Sequence, residues 1–278
     1  MYGLYSAYGG MLSRCYWWLF RRYSLIRWFT RIEESSLPFP YNEIREADAT
    51  DAVMAFNMGS VGVERKISIL GYDNGDHAPF FAKYAQSDRA RLLVLHEADV
   101  YKLLASTQLT PRLTKLIETT SGVFLRAEYI HGTRPANMLL NGYVVKTAVV
   151  LSKYHFDSSV GAVNGLQTCL SHGDFCPWNF LVDGDNWRLV DWELAGERTL
   201  GYDLLTYICN VSALFCSQKP LTEAIAENKQ WLDEYFSHFN ISDYRRYITA
   251  FAHEKAEYET GKNNMALAGP YKKLFESL

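Results

Sequence analysis

The feature that most constrains this chain is a polar cluster inside an otherwise apolar stretch, LSHGDFCPWNFLVDGDNWRLVDWE, at residues 170–193. Asp174, Asn179 and Asp191 stand here among side chains that are typical of a core, such as Phe180. Acidic side chains near a core cost free energy unless they are paired, hydrogen-bonded or bound to a metal. The fold must therefore pair these groups, hydrogen-bond them or bring them to a metal.

The same stretch predicts a β-hairpin over 180–190 with its turn at 183–186. Asp174 and Asn179 precede the hairpin and Asp191 follows it, so a tight turn brings the three polar groups to one end. Two carboxylates and an amide oxygen are hard ligands suited to Mg²⁺, which usually keeps waters and shares phosphate ligands. One acid left off the metal is able to orient a hydroxyl, which is the division of labour in phosphoryl transfer.

The chain before residue 131 is predicted to be rich in strands. Residues 64–85 form a hairpin around the turn signal Asn74-Gly75, residues 89–105 form a helix, and 114–130 contains further strands. Helices dominate afterwards, at 143–156, 201–217, 221–238 and 242–259. The predicted fold class is α+β and bilobal, with a small sheet-rich N-lobe and a larger helical C-lobe. Clefts between lobes are favoured ligand sites.

The motif HGDFCPWN (172–179) followed by DWE (191–193) resembles the aminoglycoside phosphotransferase and choline/ethanolamine kinase superfamily. That family has the protein-kinase-like fold, and its pattern is His-x-Asp, then Asn in the same loop, then a metal-binding Asp. The longer segment DWELAGERTLGYDLLTYI (191–208) extends the resemblance. The resemblance implies a kinase that uses ATP or GTP together with Mg²⁺.

The resemblance also implies roles for residues of the motif. Asp174 would be the catalytic-loop Asp that orients or deprotonates the acceptor hydroxyl, and His172 would brace its loop. Asn179 and Asp191 would bind Mg²⁺. Asp203 would tie the next helix to the catalytic loop.

A kinase also needs a lysine on a strand to contact the nucleotide phosphates, and an acidic side chain on a helix holds that lysine in place. Lys83 in FFAKYA and Glu97 on the following helix occur in that order. The phosphate-covering loop is predicted in FNMGSVGVERK, which lacks a full G-x-G-x-x-G and offers Gly59, Ser60 and Gly62.

Two further sets of residues complete the predicted site. Backbone groups from Glu128 to Ile130 are expected to hydrogen-bond a purine edge. Glu193 and Trp192 are expected to face the acceptor pocket or to support it. The implied domains are an extension and linker at 1–45, a nucleotide-binding N-lobe at 46–130 and a catalytic and acceptor-binding C-lobe at 131–278.

Composition narrows the partners and the location. A net charge of −3 gives no argument for nucleic-acid binding, and five cysteines without a Cys-x-x-Cys pair favour a reducing compartment. We therefore expect a cytoplasmic protein. Residues 1–32 contain no Asp or Glu and mix arginines with aromatics, which suggests peripheral contact with the inner face of a membrane. A helical extension packed on the main domain is the alternative.

The leading functional hypothesis is a Mg²⁺-dependent kinase that transfers the γ-phosphate to a hydroxyl of a small molecule or glycan. A sugar of a lipid-linked or surface polysaccharide ranks above a choline-, ethanolamine- or aminoglycoside-type acceptor. The competing hypothesis is a catalytically silent kinase-like binding module. The presence of Lys83, Asp174, Asn179 and Asp191 argues against it.

Overall fold

A computed structural model describes residues 40–156, 162–215 and 219–278 of the chain. The chain divides into two compact units, Met1–Asn42 and Glu43–Leu278. The second unit holds the whole motif described above and every strand found in the described residues. The predicted basic and aromatic segment at 1–32 lies outside the described residues, and the proposed boundaries at 45 and 130 stay predictions.

The first part of the described chain consists of α1 (Tyr41–Asp48), β1 (Ala52–Asn57), β2 (Lys66–Asp73), β3 (Ala78–Ala85), α2 (Asp88–Leu103), β4 (Leu113–Glu118) and β5 (Val123–Glu128). Its strands form an antiparallel five-stranded sheet in the order β1-β2-β3-β5-β4. Helix α2 packs against this sheet and begins at the N-cap Ser87, whose hydroxyl accepts a hydrogen bond from the Ala90 N–H.

The β2–β3 hairpin sets the register that matters for the site. Ser68 lies opposite Lys83, and Ile69 lies opposite Ala82. Because side chains alternate between the two faces of a strand, Lys83 shares one face with Ser68 while Ile69 is buried on the other. The predicted hairpin, helix and following strands are confirmed; strand β1 and helix α1 were not predicted.

The second part is mainly helical, as predicted. Its elements are α3 (Gly142–Leu151), β6 (Ala162–Val163), β7 (Leu166–Ser171), a 3₁₀ turn (Pro177–Asn179), β8 (Phe180–Asp183), β9 (Asn186–Leu189), β10 (Gly196–Thr199), α4 (Tyr202–Phe215), α5 (Leu221–Glu227), α6 (Lys229–Ser237), α7 (Arg245–Gly261) and α8 (Met265–Glu276). Strands β8 and β9 form the predicted hairpin. Strands β10, β7 and β6 form a small sheet that was not predicted.

Two predicted helices differ from those observed. The helix expected at 221–238 is interrupted at Asn228, whose side-chain amide donates to the Ala224 carbonyl and so ends α5. The helix expected at 143–156 ends at Leu151, because the chain turns there and the Tyr154 carbonyl accepts from the Leu170 N–H at 2.7 Å. Over the described part of the chain, no helix has the length and apolar character needed to span a membrane.

Candidate active site

One carboxylate, that of Asp203, holds the loop that carries Asp174 through three hydrogen bonds. Asp203, in the first turn of α4, accepts hydrogen bonds from the Ser171 hydroxyl at 2.5 Å, the His172 N–H at 2.9 Å and the Gly173 N–H at 3.2 Å. Gly173 has φ +81°, and a β-carbon there would lie 2.1 Å from the Leu194 carbonyl oxygen. The path of this loop therefore requires glycine.

Asp174 is joined directly to Asn179. The Asn179 side-chain amide donates to the Asp174 carboxylate at 2.9 Å and to its carbonyl at 2.8 Å. Both bonds use Nδ2, so Oδ1 of Asn179 remains to accept or to ligate. The Cys176 Sγ lies 3.3 Å from the Asp174 carboxylate. Burial raises the pKa of this thiol well above its usual range, so Cys176 stays protonated and acts as a donor.

Aromatic packing supports the loop and settles the position of Trp192. Its side chain is fully buried, lies 4.5 Å from the His172 ring, and donates from Nε1 to the Leu189 carbonyl at 3.0 Å. The Nε2 atom of His172 in turn lies 3.1 Å from the Val190 carbonyl oxygen. Of the two expected roles, facing the acceptor pocket is therefore wrong for Trp192, because packing against His172 leaves it no open surface. Its other expected role, support of the site from within the core, stays a prediction.

Asp191 meets Lys83 at the other side of the site. Asp191 has φ +72°, which turns the chain sharply after β9. The Lys83 ammonium lies 2.8 Å from the Asp191 carboxylate and 2.6 Å from that of Glu97, which is fully buried on α2. The Tyr101 hydroxyl donates to the other Glu97 oxygen at 2.8 Å. The strand lysine and helical acid anticipated from the sequence thus lie in contact.

The charges of the neighbouring side chains determine the ionisation of Lys83 and Asp191. Burial alone would lower the pKa of Lys83, but the Glu97 and Asp191 carboxylates outweigh it and raise that pKa. The Lys83 charge holds the pKa of Asp191 below its usual value, against the opposing effect of burial. Lys83 and Asp191 are therefore both charged at neutral pH.

Two cavities meet at Lys83 and Asp191. The smaller, of about 300 Å³, has apolar walls from side chains such as Phe81 and Leu181 and is bordered by residues 128–130 and Asn179. The larger, of about 530 Å³, is lined by residues 59–66 together with Glu193. The predicted glycine loop, Lys83, Asn179 and Asp191 therefore border two cavities that share lining residues. Asp174 lines neither cavity and lies next to Asn179.

Some of the polar groups in the segment predicted to hydrogen-bond a purine, residues 128–130, already have partners within the protein. The Glu128 N–H donates to the Arg112 carbonyl at 2.9 Å, and the Glu128 carboxylate forms ion pairs with Arg188 and Arg112. The expected role of Glu128 is thereby limited to its carbonyl, because its N–H and side chain are engaged elsewhere. Ile130 borders the smaller cavity, as does Arg134, which the sequence did not single out.

The glycine loop closes over the start of β2. Gly59 has φ +64°, and a β-carbon there would lie 2.6 Å from the Lys66 carbonyl oxygen. Ser60 and Gly62 are exposed and border the larger cavity. Lys66 forms an ion pair with Glu193, which places that carboxylate beside the loop. The predicted contact of Glu193 with an acceptor stays a prediction.

The donor set suits a shared metal better than a metal enclosed by protein. In the described parts of the chain, no group of His, Cys, Asp or Glu large enough to enclose a metal ion is found. Asn179 Oδ1 and the Asp191 carboxylate offer hard oxygen ligands at the border of the smaller cavity. Mg²⁺ typically takes one or two protein oxygens and completes its shell with waters and phosphates. The residues present fit such a cation.

Comparison with known proteins agrees with this geometry. Residues 155–247 match the model of the phosphotransferase enzyme family. The chain resembles that family. The match covers the motif from His172 to Asp203 and confirms the predicted resemblance and enzyme class, a phosphotransferase with an alcohol group as acceptor. The comparison with curated proteins finds no significant match.

Solved structures show the same fold at low sequence identity. Amicoumacin kinase hAmiN, in complex with AMP-PNP, Ca²⁺ and Ami, is 13% identical, with a TM-score of 0.57 and coverage of 81% of this chain and 88% of the other. A putative fructosamine-3-kinase of Haemophilus somnus is 11% identical, with a TM-score of 0.54 and coverage of 85% and 95%. Aminoglycoside phosphotransferase APH(3'')-Id of Streptomyces rimosus is 14% identical, with a TM-score of 0.51 and coverage of 84% and 97%. The predicted bilobal kinase-like fold is confirmed.

Proposed function

We propose that this chain is a Mg²⁺-dependent kinase that transfers the γ-phosphate of ATP or GTP to a hydroxyl of a small molecule or glycan. The observation that carries the proposal is that Asn179, which is bonded to Asp174, borders the same cavity as the bonded pair of Lys83 and Asp191. The fold and the family match are those of phosphotransferases. The complex of hAmiN with AMP-PNP and Ca²⁺ supports the use of a nucleotide and a divalent cation.

Each side chain has a role in this proposal. Lys83, fixed by Glu97, binds nucleotide phosphates. Asn179 Oδ1 and Asp191 would hold Mg²⁺, which when bound neutralises charge on the phosphates. Asp174, held by the Asn179 amide, accepts the proton of the acceptor hydroxyl as its oxygen bonds to the γ-phosphorus. The bond from that phosphorus to the bridging oxygen breaks, and the nucleoside diphosphate leaves.

The base is proposed to occupy the smaller cavity. Phe81 and Leu181 offer apolar surface to its faces, and residues 128–130 border its edge. The Glu128 carbonyl and the Ile130 N–H are the backbone groups proposed to bond the base. The phosphates would then extend past Lys83 into the larger cavity beneath the glycine loop. This arrangement accounts for both cavities with one ligand.

The acceptor is proposed to be a sugar hydroxyl. The fold neighbours include an aminoglycoside phosphotransferase and a putative fructosamine-3-kinase, whose names describe sugar-containing substrates. A sugar carried on a lipid would also give residues 1–32 a purpose, since their arginines and aromatics suit an anionic membrane surface. We propose a cytoplasmic location with peripheral membrane contact on that basis.

The deciding experiment compares wild type with Asp174→Ala. Binding of AMP-PNP and of its guanine counterpart is measured by thermal shift with and without Mg²⁺. Nucleotide consumption is then measured over a panel of sugars, aminoglycosides and amino alcohols. We expect Mg²⁺-dependent binding in both proteins and turnover in the wild type alone. Nucleotide binding without turnover on any acceptor would instead favour the silent binding module. Unchanged turnover in Asp174→Ala would refute the role of Asp174.

A further inference from the structure

Lys66 shares the cleft face of the sheet with Lys83. Ser68 is opposite Lys83 in the β2–β3 register, and Lys66 lies two residues before Ser68, on the same face of β2. Diagonal neighbours on one face of a sheet lie about 7–8 Å apart. Both lysines border the larger cavity. The cavity proposed to hold the phosphates therefore has a second cation beside the expected one.

Lys66 is held at both its backbone and its side chain. Gly59 packs directly on its carbonyl, as shown by the 2.6 Å approach that a β-carbon there would make. Its ammonium forms an ion pair with Glu193, and these side chains are 14% and 21% exposed. An ammonium has three donors, and one carboxylate does not use them all. Lys66 therefore keeps donors for an anion while its position is fixed.

The other cationic side chains that border the larger cavity, Arg65 and Lys83, already bond to other groups of the protein. Arg65 donates from Nε to the Met58 carbonyl at 2.8 Å, within the loop itself. Lys83 is already shared between Glu97 and Asp191. A phosphate chain entering the larger cavity would approach the carboxylates of Asp191 and Glu193 as well. Lys66 is the cation placed to offset that added negative charge.

We propose that Lys66 is a second phosphate-binding residue, positioned by Glu193, and that it makes the site favour a nucleoside triphosphate over a diphosphate. The inference rests on the proposed function, because it needs a nucleotide in these cavities. Glu193 acts through Lys66 and is a positioning residue. The strand after the glycine loop is in this way tied to the segment that carries Asp191.

The test is calorimetric binding of AMP-PNP and of ADP, each with Mg²⁺, to full-length protein, repeated with the guanine analogues. The variants are Lys66→Met, Lys66→Arg, Glu193→Gln and the double variant Lys66→Met/Glu193→Gln. Lys102→Met is the matched control, since Lys102 pairs with Asp99 on the exposed face of α2. Thermal unfolding of each protein without nucleotide checks that it is folded.

We expect Lys66→Met to weaken AMP-PNP binding about tenfold or more and ADP binding less than about twofold, as suits the loss of one charge-assisted contact. Lys66→Arg retains most of the affinity, and Lys102→Met is unchanged. Glu193→Gln weakens AMP-PNP about threefold, and the double variant binds AMP-PNP no more weakly than Lys66→Met, because Glu193 acts through Lys66 and its own negative charge opposes the phosphates.

Equal losses for AMP-PNP and ADP in Lys66→Met, or no loss, would overturn this inference while leaving the proposed function in place. A loss in Glu193→Gln that adds in full to that of Lys66→Met would overturn the positioning role. Failure of the wild type to bind any nucleotide would instead remove the proposed function itself.

Discussion

The carboxylate of Asp203 accepts the backbone N–H of His172 at 2.9 Å, and its other oxygen binds the Ser171 hydroxyl and the Gly173 N–H. The loop that carries Asp174 thus depends on a residue of another element. Asp203→Asn presents an NH₂ group to these donors, and we expect it to lower the free energy of unfolding by about 1.5–3 kcal/mol. Turnover should fall more than nucleotide affinity, because Asp174 loses its fixed position.

Ser171→Ala is the matched control for Asp203→Asn, since it removes one of the three donors and leaves both backbone bonds intact. Urea unfolding and steady-state kinetics on both variants provide the measurement. An Asp203→Asn protein with the stability and turnover of the wild type would show that this carboxylate does not hold the loop.

Lys83 forms ion pairs with both Glu97 and Asp191, and replacing it measures how much the stability of the protein depends on these pairs. Lys83→Met leaves the fully buried Glu97 without its cation, which we expect to cost on the order of 3 kcal/mol of unfolding free energy. Nucleotide binding should also be lost. In Lys83→Met/Glu97→Gln the buried charge is removed while Tyr101 keeps an acceptor.

The double variant separates the two roles of Lys83. Chemical unfolding should show that it recovers much of the lost stability, whereas calorimetry should show no recovery of nucleotide binding. Recovery of binding together with stability would contradict the role of Lys83 as a phosphate contact.

The parts of the site that could be predicted from the sequence are those whose structure depends on a local sequence pattern. Asn74-Gly75 between alternating strands determined the β2–β3 hairpin, and that hairpin places Lys83 on the cleft face. Trp192 shows the limit: it stands between two site residues in the chain, yet the positive φ of Asp191 turns its ring inward. No short-range periodicity carries that information.

Pairings between distant segments were equally out of reach. Lys66 and Glu193 are separated by 127 residues, and β10 pairs with β7 so that Gly196 lies opposite Ser171. Lys66 had one local signal, since period-two alternation puts it on the face of Ser68. Its partner depended on the packing of the whole unit.

The Lys83–Asp191 pair should be insensitive to pH over a wide range. Asp191 has a lowered pKa, so its contribution to stability is present above its unfolded value of 3.8 and is lost as pH falls through the folded pKa. Lys83 has a raised pKa, so its contribution is present below 10.5 and is lost as pH rises through the folded pKa. The stability difference between wild type and Lys83→Met/Glu97→Gln, which leaves no buried unpaired acid at position 97, should therefore be constant from about pH 5 to pH 9. Urea unfolding of both proteins across this range tests it, and a difference that shrinks within the window would contradict the assigned pKa directions.

Arg126 joins helix α1 to the sheet through buried charges. Its guanidinium bonds to Asp48 at 2.9 Å and Asp73 at 2.7 Å and lies 3.9 Å from the centre of the Phe80 ring. Arg126→Met leaves the buried Asp73 without its cation and leaves Asp48 with the longer 3.8 Å contact to Lys115, and we expect a loss of about 3 kcal/mol in unfolding free energy. Arg245→Met is the matched control, because the Arg245–Asp243 pair is exposed and such pairs contribute at most about 1 kcal/mol. Urea denaturation of the two variants measures the difference, and equal losses would show that burial does not set the worth of the Arg126 cluster. Since the Arg126 hydrogen bond lowers the pKa of Asp73, the stability that Arg126 contributes should persist above pH 3.8 and decline as pH falls through the lowered pKa.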